Sequence, residues 1–324
     1  MTLIIAAANN EYSALVGDRR LTLPDGKVED EETCKLTTFA CKDAKVMMAY
    51  TGVASTGNER TGDWILNLLM DASEGGVSIY EVIENLKSLA NSQVADIARR
   101  IGNGFWLELV ITGFYFYDNQ AHPKIWRISN LYNGPEFTIY SSGLIGKDTF
   151  FELGGATGSV TEKEKREIKS LLLQRKPVHG VEMKLVNAVK KASNNKNSFG
   201  KVGKQINSCI LSSSPNEPFL ATYHSNISQQ IMYSVNSVLS ITDGRGSMMK
   251  DGTLIVGHEC PPVSLPKANL SQSCPCGSGL KYKHCHAKIS YPYLPLSHSC
   301  ELTEGSLDSG SKFTVRTYGA YGGG

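Results

Sequence analysis

The sequence predicts an α+β fold in which helices cover the two outer faces of a pair of stacked antiparallel sheets. Two observations lead to this prediction. Over residues 2–225, strand-like and helix-like segments come in groups, in the order strands, two helices, strands, two helices, strands, and such grouping favours layered packing over alternating βαβ units. The chain is also 41% hydrophobic over 324 residues, which suffices for a core and excludes a globally disordered protein.

The strands are predicted from short apolar runs bounded by turn-forming residues. Leu3–Ala8 is a continuous apolar run and 13–17 is a second one, with an Asn-Asn turn at 9–10 between them. A polar loop is expected at 23–32, and a His-Pro turn at 122–123. Later runs of the same kind are predicted at 35–39, 45–50, 106–117, 124–128, 137–140, 204–212 and 219–224.

Two pairs of helices are predicted from apolar residues at helical spacing. The first pair covers 58–71 and 78–101, and the second covers 161–173 and 178–192. The third helix opens with the pattern Thr161-x-x-Glu, which is typical of a capping box.

Composition changes toward Gly, Pro and Ser after about residue 240, and helical periodicity ends there. We therefore expect a layered domain at 1–240, a linker or extension at 241–268, a small cysteine-rich motif at 269–290 and a flexible C-terminal tail at 291–324.

Charge and hydropathy restrict the function classes. The chain has 33 Lys+Arg against 31 Asp+Glu, which argues against a nucleic-acid binder whose affinity comes from a basic face. The longest apolar stretch, 105–117, is too short to span a bilayer and contains Glu108. The first residues lack the basic region of a signal peptide, so we expect a cytoplasmic protein without membrane contact. In that compartment clustered cysteines more often bind metal than form disulfides.

The N-terminal third carries the residues of a nucleophilic site. Removal of Met1 would give Thr2 both a hydroxyl and a free α-amine, whose ordinary pKa is about 7.7–8.0. An ammonium from Lys35 would lower the pKa of that amine, and Asp18 would hold the lysine in place. The main-chain N–H of Gly52 could bind an oxyanion. Each residue also has a purely structural interpretation: a common Met-Thr start, a surface ion pair, a solvated lysine and a turn glycine.

The order Thr2, Gly-Asp18-Arg-Arg20, Lys35 and Thr-Gly52 resembles the β-type subunits of proteasomes and their bacterial heat-shock-locus relatives. These are N-terminal nucleophile (Ntn) hydrolases with a four-layer αββα fold. The resemblance extends over residues 2–225. It implies that Thr2 is the nucleophile, Asp18 and Lys35 a supporting ion pair, Arg20 the arginine that follows this aspartate, and Gly52 the oxyanion glycine.

Two later segments extend the resemblance. Tyr-Ser-Ser142-Gly is similar to a Gly-Ser-Gly strand end of the family, which implies that Ser142 assists near the amine. The segment from Asn195 to Ser198-Phe199-Gly resembles an Asp-x-x-Ser-Gly-Gly motif, with Asn195 in place of the Asp and Phe199 in place of the first Gly. Ser198 is the matching serine, and Asn195 takes a supporting role.

A second constellation lies in the cysteine-rich motif. Cys274, Cys276, Cys285 and His286 offer three thiols and an imidazole, a donor set that closes the tetrahedral shell of a structural Zn²⁺. Three further residues remain open as competing ligands of the zinc: His284, His258 and Cys260.

The core of this motif, Cys-Pro-Cys-Gly-Ser-Gly-x-Lys-Tyr-Lys, resembles the SEC-C zinc knuckle at the end of the preprotein translocation ATPase. The resemblance implies contact with other proteins or with the ribosome, and hence recruitment of a partner or substrate. Ribosome contact is the one nucleic-acid link that it leaves open.

The leading hypothesis is a threonine-type Ntn hydrolase that cleaves peptide bonds of a protein or peptide substrate. The resemblance implies a homo-oligomeric ring with a regulatory or unfoldase partner. Two alternatives remain: a catalytically silent, proteasome-like scaffold that acts through its zinc knuckle, and an Ntn amidase for small amides.

Overall fold

The computed structural model describes most of the first 224 residues and shorter segments beyond them. The described residues are 2–22, 27–31, 33–41, 43–53, 60–73, 78–101, 106–118, 120–131, 136–141, 143–214, 220–224, 233–234, 236–242, 245–249, 259–260, 269, 271–272, 281, 283, 294–295, 300–306 and 312–318.

The helices and strands of this part of the chain are numbered in chain order. They are β1 (Leu3–Ala8), β2 (Tyr12–Asp18), β3 (Leu21–Thr22), β4 (Val28–Asp30), β5 (Leu36–Cys41), β6 (Ala44–Gly52), α1 (Thr61–Ser73), α2 (Ile79–Ile101), β7 (Leu107–Tyr117), β8 (Gln120–Ser129), β9 (Thr138–Ser141), β10 (Leu144–Gly146), β11 (Thr149–Gly155), α3 (Glu162–Leu173), α4 (Val178–Asn194), β12 (Ile206–Ser212), β13 (Leu220–His224), β14 (Tyr233–Ser234), β15 (Asn236–Thr242), β16 (Arg245–Met249), β17 (Glu259–Cys260), β18 (Leu294–Pro295), β19 (Cys300–Ser306) and β20 (Lys312–Tyr318).

The first sheet has the strand order β10-β11-β1-β2-β12-β13-β18, and its neighbouring strands run antiparallel. Side chains alternate across it as strand geometry requires. Leu3 and Ile5 face outward and pack with Ile168 of α3 and Leu185 of α4 in one apolar cluster. Helices α3 and α4 therefore cover the outer face of this sheet.

The second sheet has the order β16-β15-β5-β6-β7-β8-β9. Its outer face packs against α1 and α2, where Met48 and Ile111 of the strands share a cluster with Leu68 and Leu86 of the helices. The pair β15–β5 is parallel, with Asn236 opposite Thr37, whereas the other pairs along β5–β9 are antiparallel.

The inner faces of the two sheets meet in a third apolar cluster. Ile4 and Leu15 from the first sheet pack there with Met47 and Val110 from the second. The layers therefore run helix, sheet, sheet, helix, which confirms the predicted α+β, four-layer αββα sandwich. The four predicted ligands of the zinc knuckle lie outside the described residues.

The His-Pro turn predicted at 122–123 is wrong. His122 and Pro123 lie inside β8, and Pro123 is opposite Phe114 of β7. The chain turns earlier, where Asp118 adopts a positive φ of 51°. Proline is tolerated at this position because β9 pairs with β8 only from Trp126 onward, so the missing N–H is not needed for a ladder on that side.

Some elements were absent from the sequence prediction. Strands β10 and β11 lie at the edge of the first sheet, and β4 lies within the predicted polar loop at 23–32, where it pairs with β3. The capping box is confirmed, since Thr161 and Glu164 exchange side-chain and main-chain hydrogen bonds at the start of α3.

Several strands lie beyond residue 240. β15 and β16 extend the second sheet to residue 249, β18 pairs with β13, and β19 and β20 form a hairpin. The domain limits at 240, 268 and 290 stay predictions. None of the helices in the described ranges combines the length and apolar character needed to cross a membrane.

Candidate active site

Thr2 lies immediately before β1 in the first sheet and is 4% exposed. Its carbonyl accepts a hydrogen bond from the Ala156 N–H at 2.9 Å. Gly155, at the end of β11, passes so close that a Cβ there would lie 1.8 Å from the Thr2 oxygen. Its φ of +74° also favours glycine. β11 therefore fixes the start of the chain in the sheet.

Asp18 ends β2, next to the start of β1, and its carboxylate is fully buried. Its Oδ1 accepts from the Leu3 N–H at 2.8 Å, and its Oδ2 accepts from the N–H groups of Arg20 at 3.1 Å and Gly203 at 2.9 Å. Main-chain donors from three segments thus satisfy a buried charge that would otherwise be costly to desolvate.

Lys35 lies just before β5 in the second sheet and is 2% exposed. Its ammonium donates to the Thr2 hydroxyl oxygen and to the Arg20 carbonyl, and it lies 3.6 Å from Asp18 Oδ2. Burial lowers the pKa of Lys35, and the charge of Asp18 opposes that shift. A cation aimed at the Thr2 hydroxyl stabilises negative charge that develops on that oxygen.

Thr51 and Gly52 lie at the end of β6, where the second sheet reaches Thr2. The Thr51 hydroxyl accepts from the Thr2 nitrogen at 3.1 Å and donates to the Thr2 carbonyl at 3.2 Å. Gly52 has a φ of +129°, and a Cβ there would lie 2.2 Å from the Trp106 oxygen, so the position requires glycine. Gly52 is among the site residues predicted from the sequence, whereas Thr51 is not.

The remaining predicted residues lie around this centre. The Arg20 guanidinium contacts Glu31 at 2.6 Å and donates to the Gly200 carbonyl, while its main chain contacts Asp18 and Lys35. Ser142 lies outside the described residues.

Ser198 and Asn195 lie in the segment that precedes Gly203, whose N–H donates to Asp18. Ser198 Oγ donates to the Asn195 carbonyl at 2.7 Å, and the Asn195 amide donates to the Ser159 carbonyl at 3.0 Å. These bonds stabilise the loop that delivers the Gly203 N–H to Asp18. The structure thus brings Thr2, Asp18 and Lys35 into direct contact and gives Ser198 and Asn195 loop contacts.

A buried carboxylate between the two sheets stabilises the segment that packs against Thr2. Glu108 of β7 accepts from the Gly155 N–H at 3.1 Å, and it pairs with Arg127 of β8 through an Nε contact of 2.8 Å. Arg127 also reaches Glu152 of β11 at 3.3 Å. In the sequence, Glu108 stands out only as a charge within the apolar run 105–117, which is the available signal that this position is special.

A second polar cluster, absent from the sequence interpretation, joins α4 to the first sheet. Ser208 of β12 donates to Glu182 Oε1 at 2.6 Å, and its Oγ lies 2.8 Å from His224 Nε2. Because the Ser208 hydrogen goes to Glu182, the imidazole is the donor in the second contact. Burial lowers the pKa of His224 to about 4, with Glu182 opposing, so the ring is neutral. We call Ser208, Glu182 and His224 the serine cluster.

The four residues predicted to bind zinc, Cys274, Cys276, Cys285 and His286, lie outside the described residues, as do the alternative ligands His258 and His284. For Cys260 the structure gives only the main chain, in β17.

Comparison with known proteins gives a family match in this C-terminal part. Residues 271–288 match the SEC-C motif. The chain is 51% identical over 35 residues to protein translocase subunit SecA from Burkholderia multivorans, covering 11% of this chain, and 44% identical over 50 residues to SecA from Burkholderia thailandensis, covering 14%. The chain spans only 4% and 5% of the length of these two relatives.

Solved structures similar to this chain include Anbu (ancestral β-subunit) from Yersinia bercovieri, with a TM-score of 0.47 and 16% identity over 65% of this chain and 81% of that one. Eukaryotic HslV from Trypanosoma brucei is similar with a TM-score of 0.40 and 14% identity, over 65% of this chain and 99% of that one.

Proposed function

We propose that the chain is a threonine-type Ntn hydrolase that cleaves amide bonds in peptides or proteins once Met1 has been removed. One observation carries the proposal: the Lys35 ammonium donates to the Thr2 hydroxyl, with the Asp18 carboxylate 3.6 Å behind it. A buried hydroxyl that faces a cation is suited to become a nucleophile, because the cation stabilises the alkoxide.

The proposed reaction proceeds in two halves. Thr2 Oγ attacks the substrate carbonyl while the Thr2 amine takes the hydroxyl proton, directly or through a water molecule. The Gly52 N–H holds the oxyanion, the C–N bond breaks, and the amine passes its proton to the leaving nitrogen. An ester on Thr2 remains, and water hydrolyses it with the same amine as base. Lys35 stabilises the hydroxyl oxygen and favours the uncharged amine.

A catalytically silent scaffold is the second candidate, and the loop at 195–200 favours it. The family pattern has an acid at the position of Asn195, whereas here a neutral amide holds the Ser159 carbonyl. Phe199 adopts a φ of 51° and is 81% exposed where the pattern has glycine, a conformation that costs free energy for a bulky residue. A small-amide hydrolase is the third candidate and differs from the first only in substrate size.

The decisive experiment is the intact mass of the purified protein, combined with turnover of a fluorogenic peptide panel and of small amides. We expect the measured mass to be that of a chain that starts at Thr2, and we expect the protein to cleave the peptides. Retention of Met1 or of any residue before Thr2 removes the free amine and contradicts the mechanism. A chain that starts at Thr2 but cleaves only small amides favours the amidase.

We also propose that the SEC-C motif holds one structural Zn²⁺ through Cys274, Cys276, Cys285 and His286. The donor set suits zinc because thiolates and imidazole are its preferred ligands, and four protein ligands leave no position for substrate. Bound zinc would fix the fold of the motif and so support its contacts with partner proteins.

Cys276→Ser tests the zinc proposal. We expect loss of about one equivalent of zinc per chain, measured by atomic emission, and unchanged peptide turnover. Cys300→Ser, in the β19–β20 hairpin, is the matched control and keeps the metal. Equal zinc content in the two variants contradicts the assignment of Cys276.

The assembly proposals rest on the resemblance of residues 2–225 to proteasome-type subunits. We propose a homo-oligomeric ring in the cytoplasm, with a regulatory or unfoldase partner and with protein contacts made by the SEC-C motif. Light scattering coupled to size-exclusion chromatography tests the ring, since a monomer mass contradicts it.

A further inference from the structure

The main chain of Thr2 is held at both ends by one side chain. The Thr51 hydroxyl lies 3.1 Å from the Thr2 nitrogen and 3.2 Å from the Thr2 carbonyl oxygen, and Thr51 is 1% exposed. A hydroxyl has a single hydrogen, which here goes to the carbonyl. Its lone pair therefore accepts from the nitrogen, and the roles of the two atoms are fixed.

The position of Thr51 links three parts of the site. It precedes Gly52 in β6, so the end of the same strand carries the proposed oxyanion donor. On its other side Gly155 leaves room for it, because a Cβ at Gly155 would lie 2.6 Å from Thr51 Oγ1. The Ala156 N–H supplies the other hydrogen bond to the Thr2 carbonyl. Thr51 thus joins the second sheet to the start of the first sheet at the reacting residue.

We propose that Thr51 is a positioning residue that orients the Thr2 nitrogen and carbonyl relative to Gly52, so that nucleophile, base and oxyanion donor keep one fixed geometry. This inference rests on the hydrolase function proposed above. A free α-amine can rotate about its bond to Cα, and an acceptor that engages one of its hydrogens restricts that rotation. The restriction acts on the chemical step rather than on substrate binding.

Thr51→Val tests the inference because valine keeps the β-branched shape and removes only the hydroxyl. We expect kcat to fall about tenfold, the fold-change of one lost orienting hydrogen bond, with KM unchanged within about twofold. Thr51 accepts a hydrogen from the amine and so favours its protonated form. The acid limb of the pH profile of kcat/KM should therefore move to lower pH in the variant.

A second pair of variants separates positioning from folding. Thr51→Ser and Thr51→Ala differ from one another by the hydroxyl alone. We therefore expect the serine variant to keep the parental kcat and the parental acid limb of the kcat/KM profile. The alanine variant should behave like Thr51→Val. Thermal unfolding of each variant shows whether the protein is folded during the assay. Loss of folded protein in both Val and Ala variants would overturn the inference in favour of a purely structural role.

The outcomes also distinguish this inference from the proposed function. A parent protein that keeps Met1 or has no turnover refutes both. An active parent that starts at Thr2, together with a folded Thr51→Val variant whose kcat and acid limb match the parent, overturns the role of Thr51 alone.

Discussion

Among the residues that the structure describes, two buried groups place a hydroxyl beside titratable side chains, and they differ in the charge that each hydroxyl faces. Thr2 accepts from the Lys35 ammonium, whereas Ser208 donates to the Glu182 carboxylate. An alkoxide on Thr2 would be stabilised by a neighbouring cation, and one on Ser208 would be repelled by a neighbouring anion. Nucleophilic character therefore follows from local charge and not from the presence of Ser, His and Glu together.

The two groups also differ in how they are supported. Asp18 is held by main-chain N–H groups from three separate segments, which places Lys35 at the meeting point of both sheets. The serine cluster is made of side chains from α4, β12 and β13 and joins one helix to one sheet. We interpret the first as a site and the second as a structural connection.

Exchanging each hydroxyl residue for alanine gives the largest contrast. We expect Thr2→Ala to lower peptide turnover at least about a thousandfold, because it removes the nucleophile, while leaving assembly intact. Ser208→Ala is the matched control and should keep turnover within about twofold. Comparable losses in both variants would contradict the structural role of Ser208. Undiminished turnover in Thr2→Ala would contradict the role of Thr2 as the nucleophile.

Lys35→Met tests how much the cation beside the Thr2 hydroxyl contributes to turnover. Methionine has a similar length and no charge, so the Thr2 oxygen loses its cation and turnover should fall about a hundredfold. Asp18 is then a buried anion without its partner, and we expect a loss of about 3 kcal/mol in the free energy of unfolding. The control is Lys184→Met, which removes a surface pair with Glu167 and should leave turnover unchanged. A folded Lys35→Met protein that keeps parental turnover contradicts the role of Lys35.

The serine cluster predicts a pH dependence of stability rather than of turnover. The pKa of His224 is lowered from 6.5 to about 4 by burial, so between these values the unfolded chain binds a proton that the folded chain excludes. The free energy of unfolding should therefore decrease as pH falls through this window, by up to about 3 kcal/mol from this residue.

Urea unfolding at pH 7 and pH 4.5 measures this effect. His224→Asn should reduce the difference in the free energy of unfolding between the two pH values, because the variant lacks the imidazole. An identical pH dependence in the parent and in His224→Asn would show that the imidazole does not contribute.

The layered fold was predictable because its strands and helices carry strong periodic signals. Leu3–Ala8 is apolar on both faces, since one face packs on helices and the other on the second sheet. β11 was missed because Gly154, Gly155 and the charged Glu152 interrupt its apolar pattern. Those residues are there for contacts across the fold, with Gly155 against Thr2 and Glu152 near Arg127, and such contacts leave no local signature.

The candidate site was predictable in part for the same reason. Three of its residues lie at strand ends and could be recognised from the resemblance to proteasome-type subunits: Thr2, Asp18 and Lys35. Thr51 looks like an ordinary strand residue, and only the pairing of the two sheets reveals its contacts with Thr2. Glu182, Ser208 and His224 are separated by 26 and 16 residues in sequence, so no short motif contains them.

The parallel pairing of β15 with β5 has a consequence for how the chain folds. Asn236 meets Thr37 across nearly two hundred residues of intervening chain, so this ladder carries a high loop-closure entropy and is expected to form late. Until it forms, β5 presents an open edge of main-chain donors and acceptors immediately after Lys35. Such an edge can pair with another chain. Pairing with β15 therefore protects the strand that begins beside the candidate nucleophile against aggregation.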